Sequence, residues 1–155
     1  MEPVPGPEWN EMGCWFSAHL VLGESPRGAL LIEGGIRFER GVILAFLALN
    51  SAGDEVMGSG RDGIRVAASL ENEARETVNY IRTMGHDDLL MCINGAGSSP
   101  GRLEFQLWVS PRPLDLLWIT SEWPDYDIPL STKKLDMPPL VSLPNPWNPE
   151  AGRSV

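Results

Sequence analysis

The amino-acid sequence predicts a mainly β protein: an antiparallel β-sandwich-like domain with one short helix and extended termini. Gly 16 and Pro 14 in a chain of 155 residues favour frequent turns and short strands over long helices. Hydrophobic residues make up 43% of the chain, which is enough for a packed core at this length. Several segments alternate apolar and polar residues, as strands with one buried face do.

Four strands are predicted in the first 50 residues. Periodicity does not separate a buried strand from a buried helix in the apolar segment 42–50. Gly41 before it and the polar residues 50–54 after it bracket a length typical of strands, so we interpret it as a central strand of the sandwich. Gly34 and Gly35 predict a bend or bulge. The four strand segments are residues 14–22, 29–33, 36–40 and 42–50.

One segment in the middle of the chain breaks the β pattern. Leu70, Ala74, Val78 and Ile81 recur at helical spacing, which predicts an amphipathic helix over residues 70–84. The alternative is a long excursion between two strands. On either side the sequence predicts strands and then a flexible loop: strands at residues 64–68 and 89–94, and the loop at residues 95–101.

Residues 102–122 are predicted to form two strands joined by a proline-rich turn. In the hairpin register that we favour, Val109 faces Leu117, and the opposite face pairs Trp108 with Trp118. A slip of one residue would instead move Trp118 to the apolar face. The favoured register places six apolar residues on one core-facing side: Leu103, Phe105, Leu107, Val109, Leu117 and Ile119.

The domain organisation follows from composition. Residues 1–13 are rich in Pro and Glu and are predicted to be a flexible N-terminus, and residues 14–136 to form a single β-rich domain. Residues 137–155 contain prolines that exclude a regular helix or a central strand, so we expect a Pro-rich extended tail.

The charge balance limits the classes of binding partner that we expect for the chain. There are 21 Asp and Glu against 12 Lys and Arg, a formal net charge of −9, and the chain has no basic stripe. Nucleic-acid binding depends on cationic side chains, so no nucleic acid is expected as a partner. An anionic membrane surface is disfavoured for the same reason. Acidity suits solubility or a basic protein partner, and solubility is the simpler interpretation.

Two cysteines, Cys14 and Cys92, are too few for a disulfide framework, although a single bridge between them stays open. The first residues lack the basic and apolar regions of a signal peptide. The longest apolar run is far shorter than a membrane span. We therefore expect a cytoplasmic protein.

Three motifs match catalytic or cofactor patterns only in their letters. Residues 58–63 read G-x-G-x-x-G but precede a predicted strand instead of a helix, so no cofactor is predicted. Residues 97–101 read G-x-S-x-G around Ser99, without the helix that a nucleophile elbow requires. His86 with Asp87 and Asp88 lacks the spacing of a metal site. No catalytic residue and no metal is predicted.

Several pieces between residues 89 and 130 occur together: Gly95-Ala-Gly-Ser98, Leu107-Trp-Val-Ser-Pro-Arg-Pro113, Leu117-Trp-Ile, and Glu122-Trp-Pro124 with Asp127-Ile-Pro129. This region resembles an uncharacterised actinobacterial family of small β-rich proteins, which has a Gly-rich loop, a Trp/Pro hairpin and a Glu-Trp-Pro segment. Residues 36–47 look like an earlier strand of the same family. The resemblance implies an all-β, sandwich-like fold, and it implies no activity and no catalytic residue.

The sequence favours a non-catalytic protein-interaction module whose partner is another protein or a second copy of the chain. Aromatic residues near the predicted hairpin and in the tail are the candidate binding residues. Alternatives are an immunity-type inhibitor of a toxin, a small hydrolase using His86 or Ser99, and a carbohydrate-binding module. The candidate binding residues are Trp108, Trp118, Glu122, Trp123 and Trp147.

Overall fold

The computed structural model describes residues 13–38, 40–53, 63–70, 90–110 and 116–137. Of residues 90–95 it describes the backbone alone. These residues form two antiparallel sheets, which confirms the predicted mainly β, sandwich-like fold. The strands are β1 (Cys14–Ser25), β2 (Gly28–Phe38), β3 (Gly41–Asn50), β4 (Arg65–Ser69), β5 (Leu90–Ser99), β6 (Arg102–Ser110), β7 (Leu116–Trp123) and β8 (Ile128–Asp136). A short 3₁₀ helix, Pro124–Tyr126, joins β7 to β8.

The larger sheet has five strands in the order β1-β2-β3-β6-β5, and the smaller has three in the order β4-β7-β8. Strand β3 lies at the centre of the larger sheet, as predicted, and it is apolar on both faces. Val42, Leu44 and Phe46 point into the core between the sheets. Ile43 and Leu47 point to the outer face, where they are 7% and 6% exposed. A strand buried on both faces needs no alternation of polar residues, which explains its sequence.

The second strand of the larger sheet differs from the prediction, which divided it into two strands. Residues 29–33 and 36–38 belong to a single strand, β2, with a bulge instead of a break between them. The bulge lies between Ile32 and Gly34 in the pairing with β3. At Gly34 the neighbouring strand comes so close that a Cβ would collide with the Phe16 carbonyl oxygen. Glycine is therefore required here by close backbone approach.

The predicted hairpin between β6 and β7 is wrong. β6 pairs with β3 and β5, whereas β7 pairs with β4 and β8 in the other sheet. The predicted inward face is nevertheless confirmed, because its six residues all lie in one core cluster: Leu103, Phe105, Leu107, Val109, Leu117 and Ile119. Placed in opposite sheets, the two apolar faces pack against each other, whereas neighbours in one sheet would only lie side by side.

The core fills the space between the two sheets. Phe46 on β3 and Phe105 on β6 stack with ring centroids 4.8 Å apart and an interplanar angle of 6°. The smaller sheet supplies the facing side chains, among them Ile119 and Leu135. One core therefore contains side chains from every strand except β5. In β5, residues 96–99 are exposed, and the side chains of residues 90–95 are not described.

Several predicted segments end differently or lie outside the described residues. β5 continues to Ser99, so most of the predicted loop 95–101 is strand, and the turn is confined to Pro100 and Gly101. Residues 71–84 of the predicted helix, residues 1–12 and residues 138–155 of the predicted tail lie outside the described residues.

We predict that Gly34→Ala lowers the free energy of unfolding by about 1–3 kcal/mol, because the new methyl group overpacks a backbone contact. Gly97 is the matched control, since a Cβ there meets nothing within 4 Å. Gly97→Ala should be neutral or stabilise by up to about 1 kcal/mol. Urea denaturation of both variants measures the difference, and equal stability would contradict the close approach.

Candidate functional site

The structure does not place Trp108 and Trp118, two of the candidate binding residues, opposite each other. Trp108 is 1% exposed on the outer face of the larger sheet, where its ring meets Phe38 edge-on at 5.9 Å between centroids. Together with Ile43 these residues form a small second cluster. Trp118 lies half-buried on β7, in the other sheet. The predicted pairing of Trp108 with Trp118 on one face is therefore wrong, because the two rings belong to different sheets.

The remaining predicted binding residues are also separated. Trp123 is fully buried in the main core, and its ring lies 4.3 Å from that of Tyr126. The Glu122 carboxylate pairs with the Arg65 guanidinium at 2.9 Å across β7 and β4. Trp147 lies outside the described residues. Trp108 and Trp123 thus contribute to packing and offer no surface to a partner.

The residues named for the hydrolase alternative are not brought together by the described strands. Ser99 is exposed at the end of β5, in register with Arg102 across the hairpin. His86 lies outside the described residues. Within the described ranges no group of three or more His, Cys, Asp and Glu is placed to hold a metal ion. In the same ranges no helix has the length and apolar character to cross a bilayer.

An open groove of about 370 Å³ lies at the turn end of the larger sheet. Three of its polar side chains, Ser25, Asn50 and Ser51, already form hydrogen bonds within the fold. The Ser25 hydroxyl donates to the Tyr126 carbonyl, and the Ser51 hydroxyl contacts the Arg27 carbonyl oxygen at 3.0 Å. Asn50 Nδ2 donates to the Tyr126 hydroxyl at 2.8 Å. The groove therefore lies among turns that hydrogen-bond to one another, which we call the turn cluster, and we do not assign it a ligand.

This turn cluster ties the two sheets together. The Arg27 guanidinium lies 5.1 Å from the centroid of the Tyr126 ring and donates to the Asp125 carbonyl at 2.7 Å. Its ion pair with Asp127 is longer, 3.4 Å, and exposed. Asp127 has φ 58, a left-handed conformation that aspartate tolerates better than most residues. The polar contacts at this end hold the β1–β2 turn against the 3₁₀ helix.

The largest exposed apolar side chain of the described chain lies elsewhere, on β1. Trp15 is 77% exposed, and Val21, on the same face, is 47% exposed. We call Trp15, Ser17, His19 and Val21 the β1 strip, because exposure alternates strictly from residue 14 to residue 21. The intervening residues pack against the core instead: Phe16, Ala18 and Leu20.

Two apolar rows cross the outer face of the larger sheet and end at the β1 strip. In the first row Trp15 faces Ile36 on β2. Ile36 faces Ile43 on β3, and Ile43 faces Trp108 on β6. Every member except Trp15 is buried or partly buried. Trp15 is thus the uncovered end of an apolar row that is otherwise packed.

The second row begins at Val21. Val21 faces Leu31 on β2, and Leu31 faces Leu47 on β3. Beyond Leu47 the row meets Glu104 on β6, which is bonded to Arg102. That hydrogen bond raises the pKa of the Arg102 guanidinium above its ordinary value. The Glu33 carboxylate on β2 adds to this effect on Arg102, so the two rows are apolar from β1 to β3 but charged side chains lie near them on the larger sheet.

Strand β1 is the edge of its sheet, and its first ten residues, 14–23, contain no Asp, Glu, Lys or Arg. At its far end β8 lies alongside, and the Ser131 hydroxyl donates to the Leu22 carbonyl at 2.8 Å. A Cβ at Gly23 would collide with the side chain of Ile128, so the two strands touch there. The part of the edge left open by these contacts precedes Leu22.

The other described edges lack such a combination. β8 contains Pro129, Lys133 and Lys134, residues that discourage pairing at an edge. β4 has only five residues, four of them buried. The exposed half of β5 has small side chains, Ala96 and Ser98 among them. An exposed indole within ten residues that lack Asp, Glu, Lys and Arg distinguishes β1 among these edges.

The sequence predicted the strand at 14–22 but did not single out Trp15. Both phases of this strand contain large apolar residues, Trp15 and Val21 in one and Phe16 and Leu20 in the other. Hydrophobicity alone does not show which phase is buried. The small polar residue Ser17 and the imidazole of His19 mark the exposed phase, and that signal was available.

Comparisons with known proteins add no relative: no family model, no curated protein and no solved structure matches the chain. The resemblance of residues 89–130 to a small actinobacterial family therefore stays a prediction.

We predict effects of very different size on the free energy of unfolding for two tryptophan substitutions. Trp108→Ala should lower the free energy of unfolding by about 3–5 kcal/mol, because it empties a buried site. Trp15→Ala should change it by less than about 0.5 kcal/mol, because the ring is mostly solvated. Chemical denaturation followed by circular dichroism compares them at a protein concentration at which the chain is monomeric. A large loss of stability in Trp15→Ala would show that Trp15 serves the fold.

We also predict that Tyr126→Phe lowers the free energy of unfolding by about 1 kcal/mol, because the Asn50 amide loses its 2.8 Å acceptor. A double-mutant cycle with Asn50→Ala isolates the pair from the other contacts of Asn50. Additive effects in the cycle would contradict a direct bond between the two side chains.

Proposed function

We propose that the protein is a non-catalytic protein-interaction module that binds another protein chain through the β1 strip. The observation that supports this most is Trp15, an indole that is 77% exposed at the end of a packed apolar row. Large exposed apolar groups are infrequent on stable surfaces and are commonly binding sites when they continue an apolar patch.

The residue type supports the same proposal. Tryptophan is enriched among the few interface residues that contribute most to binding, since a rigid ring gains much area at little loss of entropy. Val21 adds a second apolar contact on the same face. Ser17 and His19 between them supply polar groups that can hydrogen-bond to a partner.

The backbone of β1 offers a second means of binding. An edge strand presents N–H and C=O groups to which an added strand can bond, while alternate side chains give specificity. Residues 14–21 have the length for such addition, and no charged side chain among them opposes it. The bulges of β1, one between Ser17 and Leu20, add twist without moving the strip from its face.

A photo-crosslinking amino acid placed at Ser17 should form covalent adducts with a protein in living host cells. The same group at Lys133 on β8 is the control, because that edge contains charges and a proline. Adducts from position 17 should fall at least tenfold when Val21→Lys is added. They should persist with Leu130→Lys, since Leu130 is also 47% exposed.

Gel mobility and mass spectrometry of the adducts give the result. No adduct at position 17, or equal adducts at positions 17 and 133, would contradict binding through the β1 strip.

A further inference from the structure

Resting on the proposed function, we propose that the partner at the β1 strip is a second copy of this chain. The two β1 strands pair antiparallel about a twofold axis at Ala18, so that the two five-stranded sheets become one continuous sheet. An antiparallel pair of identical strands is closed by its own symmetry, and it covers both open edges at once.

The pairing of side chains selects this register. With Ala18 on the axis, Trp15 faces Val21 of the second copy, and Ser17 faces its His19. An aromatic ring opposite a β-branched side chain is a favourable cross-strand pair. Both exposed apolar residues of β1, at 77% and 47%, are then covered by each other. Shifting the axis to Ser17 or His19 would leave Trp15 facing His19 or Gly23 instead.

The apolar rows of the outer face support the same register. In one copy the row from Trp108 through Ile43 and Ile36 ends at Trp15. In the other copy the row from Leu47 through Leu31 ends at Val21. Joining Trp15 to Val21 makes these two rows continuous, so that each row gains the apolar neighbour that it lacks in the monomer.

Charge permits a second copy at this place. Residues 14–23 contain no Asp, Glu, Lys or Arg, and the register places His19 opposite Ser17 of the second copy, so no like charges lie opposite each other. The inward residues Phe16, Ala18 and Leu20 keep their packing against the core. The bond from Ser131 to Leu22 lies at the end of the paired segment and need not break.

Sedimentation velocity of the purified full chain tests the pairing. Wild-type protein should dimerise reversibly, and Trp15→Ala and Val21→Lys should each raise the dissociation constant at least tenfold. Leu130→Lys matches Val21→Lys in exposure and charge change and should leave the constant unchanged. A wild-type chain that stays monomeric at every concentration, or equal weakening by Leu130→Lys, overturns the dimer.

Single cysteines test the register, in a chain whose Cys14 and Cys92 are replaced by serine and which still dimerises. A mixture of Ser17→Cys and His19→Cys chains, tagged to differ in size, should form a mixed disulfide dimer on mild oxidation. Neither variant alone should do so. Cross-linking of Ser17→Cys or of His19→Cys with itself, or no cross-linking in the mixture, overturns the register.

The two proposals fail in different ways. If the chain is monomeric but position 17 still forms Val21-dependent adducts of another mass in cells, the dimer is overturned and protein binding through the β1 strip stands. If the adducts are also missing, both proposals fall.

Discussion

The structure depends on one constraint, that β3 is buried on both faces at the centre of the larger sheet. Since both of its phases are apolar, hydrophobicity does not fix which phase faces the smaller sheet. Close approaches in β3 and in its neighbour β2 supply the missing information: a Cβ at Gly41 would collide with the Trp108 ring, and one at Gly34 with the Phe16 backbone. A slip of one residue would place side chains at these contacts. The register, and with it both outer rows, follows from glycine positions.

The sequence predicted well what strand alternation determines and poorly what strand pairing determines. The inward phases of β6 and β7 were evident, because Arg102, Glu104 and Gln106 alternate with apolar residues in β6. Alternation does not determine whether two strands with matching apolar faces lie side by side in one sheet or face to face in two sheets, since both arrangements bury the same residues. The proline-rich turn between them favoured a hairpin. The observed pairing joins each strand to one sequence neighbour and to one distant strand: β6 to β5 and β3, and β7 to β8 and β4.

Exposure of tryptophan is set by the neighbouring strands and not by its own strand. Trp108 occupies the polar phase of β6, after Gln106, yet it is buried because Ile43 and Phe38 lie beside it on the outer face. Trp15 belongs to the same row and is exposed because no described strand follows β1. A sequence pattern describes one strand at a time, so it selected Trp108 and passed over Trp15. The order of strands in the sheet reverses that choice.

Net charge is also distributed in a way that composition does not show. The described residues contain seven Lys and Arg and seven Asp and Glu, so the whole excess of −9 belongs to the remaining residues. Screening in physiological salt limits the effect of exposed charges to about 8 Å, and the first ten residues of β1 themselves contain no Asp, Glu, Lys or Arg. In the proposed pairing of two copies, an excess of like charge slows their encounter. An acidic chain and the proposed pairing at β1 are therefore compatible, because the charge opposes indiscriminate association and the proposed register adds the contact between Trp15 and Val21.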